Sequence, residues 1–128
     1  MAETRAHKRL KKAHPTAHWQ RFESWSGVGV FDSNSCKDGR EIWVEFKEVK
    51  PPKKLTDAWV VKPKVRPSQV AWQALREQAG GITFVALMVG PKMYILPGAA
   101  IQWLKHGMLY GHVKQHNIPV EDIYDTNF

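Results

Sequence analysis

The stretch Ile42-Trp43-Val44-Glu45-Phe46-Lys47-Glu48-Val49 decides the fold. Read as a strand, it places Ile42, Val44 and Phe46 on one face and Trp43, Glu45, Lys47 and Val49 on the other. The first face is apolar and needs a covering layer. The second carries a carboxylate and an ammonium at i and i+2, about 6–7 Å apart, flanked by Trp43 and Val49. Charges held among apolar neighbours cost folding energy unless they pair or serve a ligand. The alternative is an ordinary solvated pair.

Upstream, Val28, Val30 and Phe31 lead as a short strand into Asp32, followed by a polar turn, Ser33 to Arg40, whose tightest signal is Asp38-Gly39. An antiparallel hairpin through that turn brings Asp32 and Glu45 together at one end of the sheet. Before it, Pro15 and Thr16 open a predicted short helix in which His18, Phe22 and Trp25 recur at i, i+4 and i+7, with Trp19 and Glu23 as a neighbouring pair. Residues 1–15 lack apolar periodicity and read as a basic mobile arm.

Downstream, Lys50 to Arg66 is a long connection with three prolines and six cations, holding a short extended piece at Trp59 to Val61. A helix follows from Ser68 to Ala79, with Ala71, Leu75 and Ala79 at four-residue spacing beside Val70, Trp72 and Ala74, and Gly80-Gly81 stops it. The unbroken apolar run Ile82 to Val89 predicts a strand covered on both faces. Gly90-Pro91 turns it into Lys92 to Leu96, and a helix from about Gly98 to His106 comes next. The order predicts a mixed α/β fold, a small sheet flanked by helices. The body spans residues 16–110, and a polar tail, 111–128, packs on it or extends from it.

At 128 residues the chain is one domain able to bury roughly two thirds of its unfolded surface. The single cysteine, Cys36, excludes an internal disulfide and a multi-thiolate zinc site within one chain, and fits a reducing compartment. No stretch approaches the ~18 apolar residues of a membrane span. The start has no apolar signal core, so the reading is a soluble, cytoplasmic protein not exported by a conventional signal. The net charge of +7 is uneven: residues 1–21 carry +5, residues 47–66 another +5, and the remainder −3. Basic segments around an acidic body suit a protein that grips phosphates and keeps carboxylates for another purpose. The cations that would grip a phosphate backbone, such as that of DNA, are Lys8, Arg9, Lys11, Lys12, Arg21, Lys53, Lys54, Lys62, Lys64 and Arg66.

Asp32 and Glu45 brought together make a hard-oxygen site suited to Mg2+, which keeps waters and room for a phosphate oxygen. Lys47 beside them would orient or help deprotonate such a water, completing the inventory for phosphodiester hydrolysis. Glu41 and Glu48 read as surface and Asp38 as turn. His112 and His116 have metal-binding i, i+4 spacing but lack a third ligand. Trp72 and Trp103 fit helix faces and a core, while Trp59 lies in the Lys- and Pro-rich connection, where a base could stack on it.

Val30-Phe31-Asp32, Trp43-Val44-Glu45-Phe46-Lys47 and Ser68-Gln69 opening a helix resemble the PD-(D/E)XK nuclease superfamily. They are most similar to its VRR-NUC and Holliday-junction-resolvase-like members, many from phages. The resemblance covers roughly residues 16–96 and implies a restriction-endonuclease-like αβββαβ core. It makes Asp32, Glu45 and the Phe46 carbonyl ligands of Mg2+ or Mn2+, Lys47 the catalytic lysine, and Gln69 the glutamine that holds the site. Glu23 matches an early helical carboxylate that adds a ligand. Phe31 stands where the name-giving proline would be. The activity implied is that of a metal-dependent endodeoxyribonuclease on branched DNA, a Holliday junction resolvase working as a homodimer. A flap, nick or end nuclease, and a non-catalytic nucleic-acid-binding protein on the same fold, are the alternatives.

Overall fold

The computed structural model describes residues 4–22 and 29–125. Its centre is a five-stranded mixed sheet, built from β1 (His18–Arg21), β2 (Ser33–Lys37), β3 (Arg40–Val49), β5 (Thr83–Val89) and β6 (Lys92–Pro97) in the order β1-β2-β3-β5-β6. β3 and β5 run parallel, and the other neighbouring pairs are antiparallel. The parallel pair needs a crossover, which α2 (Pro67–Gln78) supplies. A short ribbon pairs β4 (Val60–Val61) with β7 (Met108–Leu109). Helices α1 (Arg5–Ala13), α3 (Ala100–His106) and α4 (Tyr110–Gln115) complete the layers.

The alternation of β3 divides the core as its sequence predicts. Ile42, Val44 and Phe46 join Phe84, Ala86, Met88 and Ile95 in one cluster. Across the sheet, Val85, Leu87, Tyr94 and Leu96 pack with Ile101 and Leu104 of α3 and Val113 of α4, with Trp43 and Val49 against their edge. Every residue of β5 is buried, as its apolar run requires. No helix among the described residues is long and apolar enough to cross a membrane.

The N-terminal third differs from its sequence reading. The expected mobile arm contains α1, capped by the Thr4 side chain accepting from the His7 N–H at 3.0 Å. Its buried stripe is Ala6, His7 and Leu10, a small residue and an imidazole beside a single leucine. That stripe lies on the Phe46 face of the sheet. The helix expected around His18 to Trp25 is replaced by β1 over His18–Arg21, paired with β2 through Trp19↔Ser35; Trp25 lies outside the described residues. The polar turn expected over Ser33 to Arg40 is mostly strand β2, whose Ser33 and Ser35 are fully buried. Only Asp38 and Gly39 turn the chain, both at positive φ (51° and 77°), the geometry of a two-residue type I′ hairpin. The αβββαβ order therefore holds with its first helix and strand displaced.

Leu10→Ala tests the docking of α1. Truncation of a leucine that is 1 % exposed lowers unfolding stability by at least about 2 kcal/mol in urea titrations, whereas a mobile arm would register no change.

The rest of the chain shows three departures. On α2 the residues buried are Gln69 and Gln73, while Ala71 and Leu75 face solvent. Trp59 packs its ring 5.8 Å from Tyr110, against the core and not into open solvent. Trp103, expected inside, is 47 % exposed. The C-terminal segment is polar on average yet buries Ile118 and Ile123 against the Phe46 face.

Candidate active site

The β2–β3 register pairs Ser33 with Val44 and Cys36 with Glu41. Extended one residue past the end of β2, the same register sets Asp32 across from Glu45. Hydrogen bonds lock the two in place: the Asp32 N–H donates to Glu45 Oε1 at 3.2 Å, and the Phe46 N–H donates to Asp32 Oδ2 at 3.1 Å. A strand residue directs its N–H and C=O to the same side, so the Phe46 carbonyl also faces the region beyond the end of β2.

Gln69 reaches the pair from the first turn of α2. Its amide oxygen accepts from the Arg66 N–H at 3.1 Å, the back-reaching half of a capping box. Its Nε2 donates to Glu45 Oε2 at 2.8 Å, while the same Oε1 accepts from Lys47 Nζ at 2.9 Å. One amide thus holds the carboxylate and the ammonium of β3 together. Pro67 at the first helical position fixes where that turn begins. Gly29 lets it sit close: a Cβ there would stand 2.1 Å from the Ser68 carbonyl oxygen. This demand for Gln69 inside explains why α2 turns Ala71 and Leu75 outward.

Lys47 Nζ also donates to the Lys64 carbonyl at 2.7 Å and lies 3.3 Å from Glu45 Oε2. The ammonium is therefore aimed by three oxygens. Glu45 is only 2 % exposed. Burial, then the neighbouring Asp32 charge, pushes its pKa up to about 7, with Lys47 opposing. Burial likewise raises Asp32, opposed by the Phe46 N–H and by the charges of Lys47 and Arg21. Two adjacent carboxylates that resist ionisation when bare form a donor set that a hard divalent cation relieves. Among the described residues no three His, Cys, Asp or Glu side chains gather into a metal-binding group. Any ion held by Asp32 and Glu45 would thus draw on the Phe46 carbonyl, water or substrate oxygens. That composition fits Mg2+ or Mn2+ and disfavours a closed zinc site.

Glu23 lies outside the described residues. His112 and His116 line a separate cavity that His106 also borders, and among the described residues the three imidazoles do not gather into a metal-binding group. Lys62, Lys64 and Arg66 belong to the segment that touches the site through the Lys64 carbonyl and the Arg66 N–H, and Lys53 and Lys54 are exposed earlier in the same connection. Lys8, Arg9, Lys11 and Lys12 are exposed on α1, across the sheet from Glu45 and Lys47. Arg21 is half-buried, its guanidinium 5.9 Å from the Phe46 ring centroid, so it stands behind the site and not on an open surface. Nothing in the sequence marks the Lys64 carbonyl that accepts from Lys47, since a backbone acceptor leaves no trace in residue type.

The fold and these residues define a small mixed α/β core with a buried carboxylate pair at the end of a hairpin. Among solved structures, that of Hjc, a Holliday junction resolvase from Archaeoglobus fulgidus, superimposes with a TM-score of 0.58 over 91% of this chain and 92% of that one, at 15% sequence identity. No family model and no curated protein matches the chain.

Proposed function

We propose that this chain is a divalent-metal-dependent endodeoxyribonuclease acting on branched DNA, with resolution of four-way junctions as its reaction. The observation that carries the reading is the single hydrogen-bonded cluster in which Asp32, Glu45, Lys47 and Gln69 converge from three separate stretches of chain. The fold shared with a Holliday junction resolvase favours branched DNA. Asp32, Glu45 and the Phe46 carbonyl would hold Mg2+ or Mn2+, with Glu23 as a further ligand. When bound, the ion supplies Lewis acidity at the phosphate and lowers the pKa of a coordinated water.

The chain's own residues do the rest. Lys47 sets a positive charge beside the scissile phosphate and orients the attacking water, and Gln69 holds Lys47 and Glu45 in register. Lys62, Lys64 and Arg66 contact phosphates next to the cut without reading sequence. Lys53 and Lys54 extend that contact, and the α1 cations meet more distant arms of a branched substrate. A four-way junction offers two symmetry-related cuts, so the working unit is a homodimer. The outward apolar residues Ala71 and Leu75 of α2, beside the site, support such a contact. A lone cysteine fits a reducing compartment, and the cytoplasm is the location proposed.

Equal amounts of four-way junction, flap and linear duplex, incubated with Mg2+, test the substrate. Paired symmetric cuts in the junction, faster than cutting of the other two, are expected. Equal rates on all three would instead favour a flap, nick or end nuclease of the same fold. An absence of metal-dependent cutting on every substrate would leave a non-catalytic nucleic-acid-binding protein.

A further inference from the structure

We infer that the cavity between α3, β7 and α4 is a second nucleic-acid site that takes an unpaired nucleotide of a DNA strand, its base against Trp103 and its backbone among imidazoles. The cavity has a volume of about 490 Å3, within the range of small-ligand sites. Trp103, His106, His112 and His116 line it with Gln102 and Leu109, and no acidic side chain among the described residues does. α3 buries Ala100, Ile101 and Leu104, so the core does not use Trp103. Its ring is half open to solvent and stands 5.5 Å from the His116 ring, tilted 51° to it. An exposed tryptophan offers a stacking platform that any base can occupy. Imidazole and amide groups both donate and accept, which suits the mixed edge of a base and the oxygens of a phosphate.

The surroundings carry the matching charge. Asp57, on the adjoining connection, is neutralised by Lys114 at 2.6 Å. Leu109 pairs with Val60 across the β4–β7 ribbon, both exposed, and Gly107 backs onto Val60, where a Cβ would come within 2.8 Å of Cγ1. From Val60 the chain runs past Lys62 to Lys64, whose carbonyl holds Lys47. Four residues of extended chain reach at most about 14 Å, the rise of about four stacked nucleotides of one strand. Two exposed lysines, Lys62 and Lys64, thus lie on the stretch of chain that joins the cavity's rim to the Lys47 contact, and a displaced strand of branched DNA would follow them. A second copy of this chain is the competing occupant, and the homodimer proposed above forms through α2, which does not line this cavity.

Only the choice of DNA as partner rests on the nuclease reading. Fluorescence anisotropy in chelator, where no cleavage enters the signal, compares a blunt duplex with the same duplex bearing a four-nucleotide single-stranded extension. In wild type the extension is expected to raise affinity about tenfold. In Trp103→Ala it should do so less than twofold, with the two proteins alike on blunt duplex; His116→Ala should fall between them. No gain in wild type, or an equal gain in both proteins, overturns the assignment. So does a change of oligomeric state in Trp103→Ala by light scattering, which gives the face to a second copy. Because the readout contains no metal, a chain that never cuts DNA leaves this measurement intact, and a failed extension effect leaves the cleavage test intact.

Discussion

Lys47→Ala is expected to lower Mg2+-dependent cleavage by about 1,000-fold, or about 4 kcal/mol of transition-state stabilisation, while DNA affinity stays within about threefold because phosphate contacts are spread over many cations. The side chain is aimed by the Lys64 carbonyl, Gln69 Oε1 and Glu45 Oε2, so its charge cannot be supplied by another group at that point. Single-turnover cleavage of a four-way junction, with affinity read in chelator, separates the two effects. Lys47→Arg keeps the charge but cannot place a compact ammonium against three oxygens, and recovers only part of the rate. Asp32→Asn should lose cleavage to a similar degree. Thermal melts establish that each variant folds. Folded Lys47→Ala and Asp32→Asn proteins that both cut at the wild-type rate would locate catalysis elsewhere.

The legibility of this site in the sequence has a physical basis. Strand periodicity fixes which face Glu45 and Lys47 share, and Asp38-Gly39 fixes where the hairpin turns. Register then follows by counting, so the meeting of Asp32 with Glu45 could be read without coordinates. The same logic fails for β2, because its core residues are Ser33 and Ser35, which read as turn formers. Serine fits there because Tyr124 closes over the strand and bonds the Ser35 hydroxyl. α1 escaped notice because a two-residue apolar stripe with an imidazole, among five basic residues, has the composition of a solvated arm. Apolar spacing on α2 pointed to Ala71 and Leu75, whereas the side chains actually drawn inward are those with polar partners, Gln69 at Glu45 and Gln73 at Thr83. Periodicity weighs apolar area and is blind to buried hydrogen bonds, which decided the orientation of this helix.

In chelator the folded chain should lose stability as pH rises from about 4.5 to about 7, by roughly 3 kcal/mol from Glu45. Within that window the unfolded chain has released the Glu45 proton and the folded chain still holds it. The folded state binds more protons, so the free energy of unfolding falls with rising pH. Below the window both states are protonated and stability is full; above it both are ionised and the curve flattens. Asp32, raised in the same direction, deepens the fall. On the proposed reading Mg2+ would bind the ionised carboxylates, and its addition at pH 8 should restore stability in proportion to its occupancy. Glu45→Gln should flatten the chelator profile, unfold at higher urea than wild type at pH 8, and no longer respond to Mg2+. Urea titrations from pH 4.5 to 8, with and without the metal, read all three. A wild-type profile that rises through the window would mean the carboxylates are satisfied by the protein alone. The expected fall means that burial first, and the neighbouring Asp32 charge second, make ionisation of Glu45 costly in the bare site, a cost that a divalent cation held on the proposed reading would relieve.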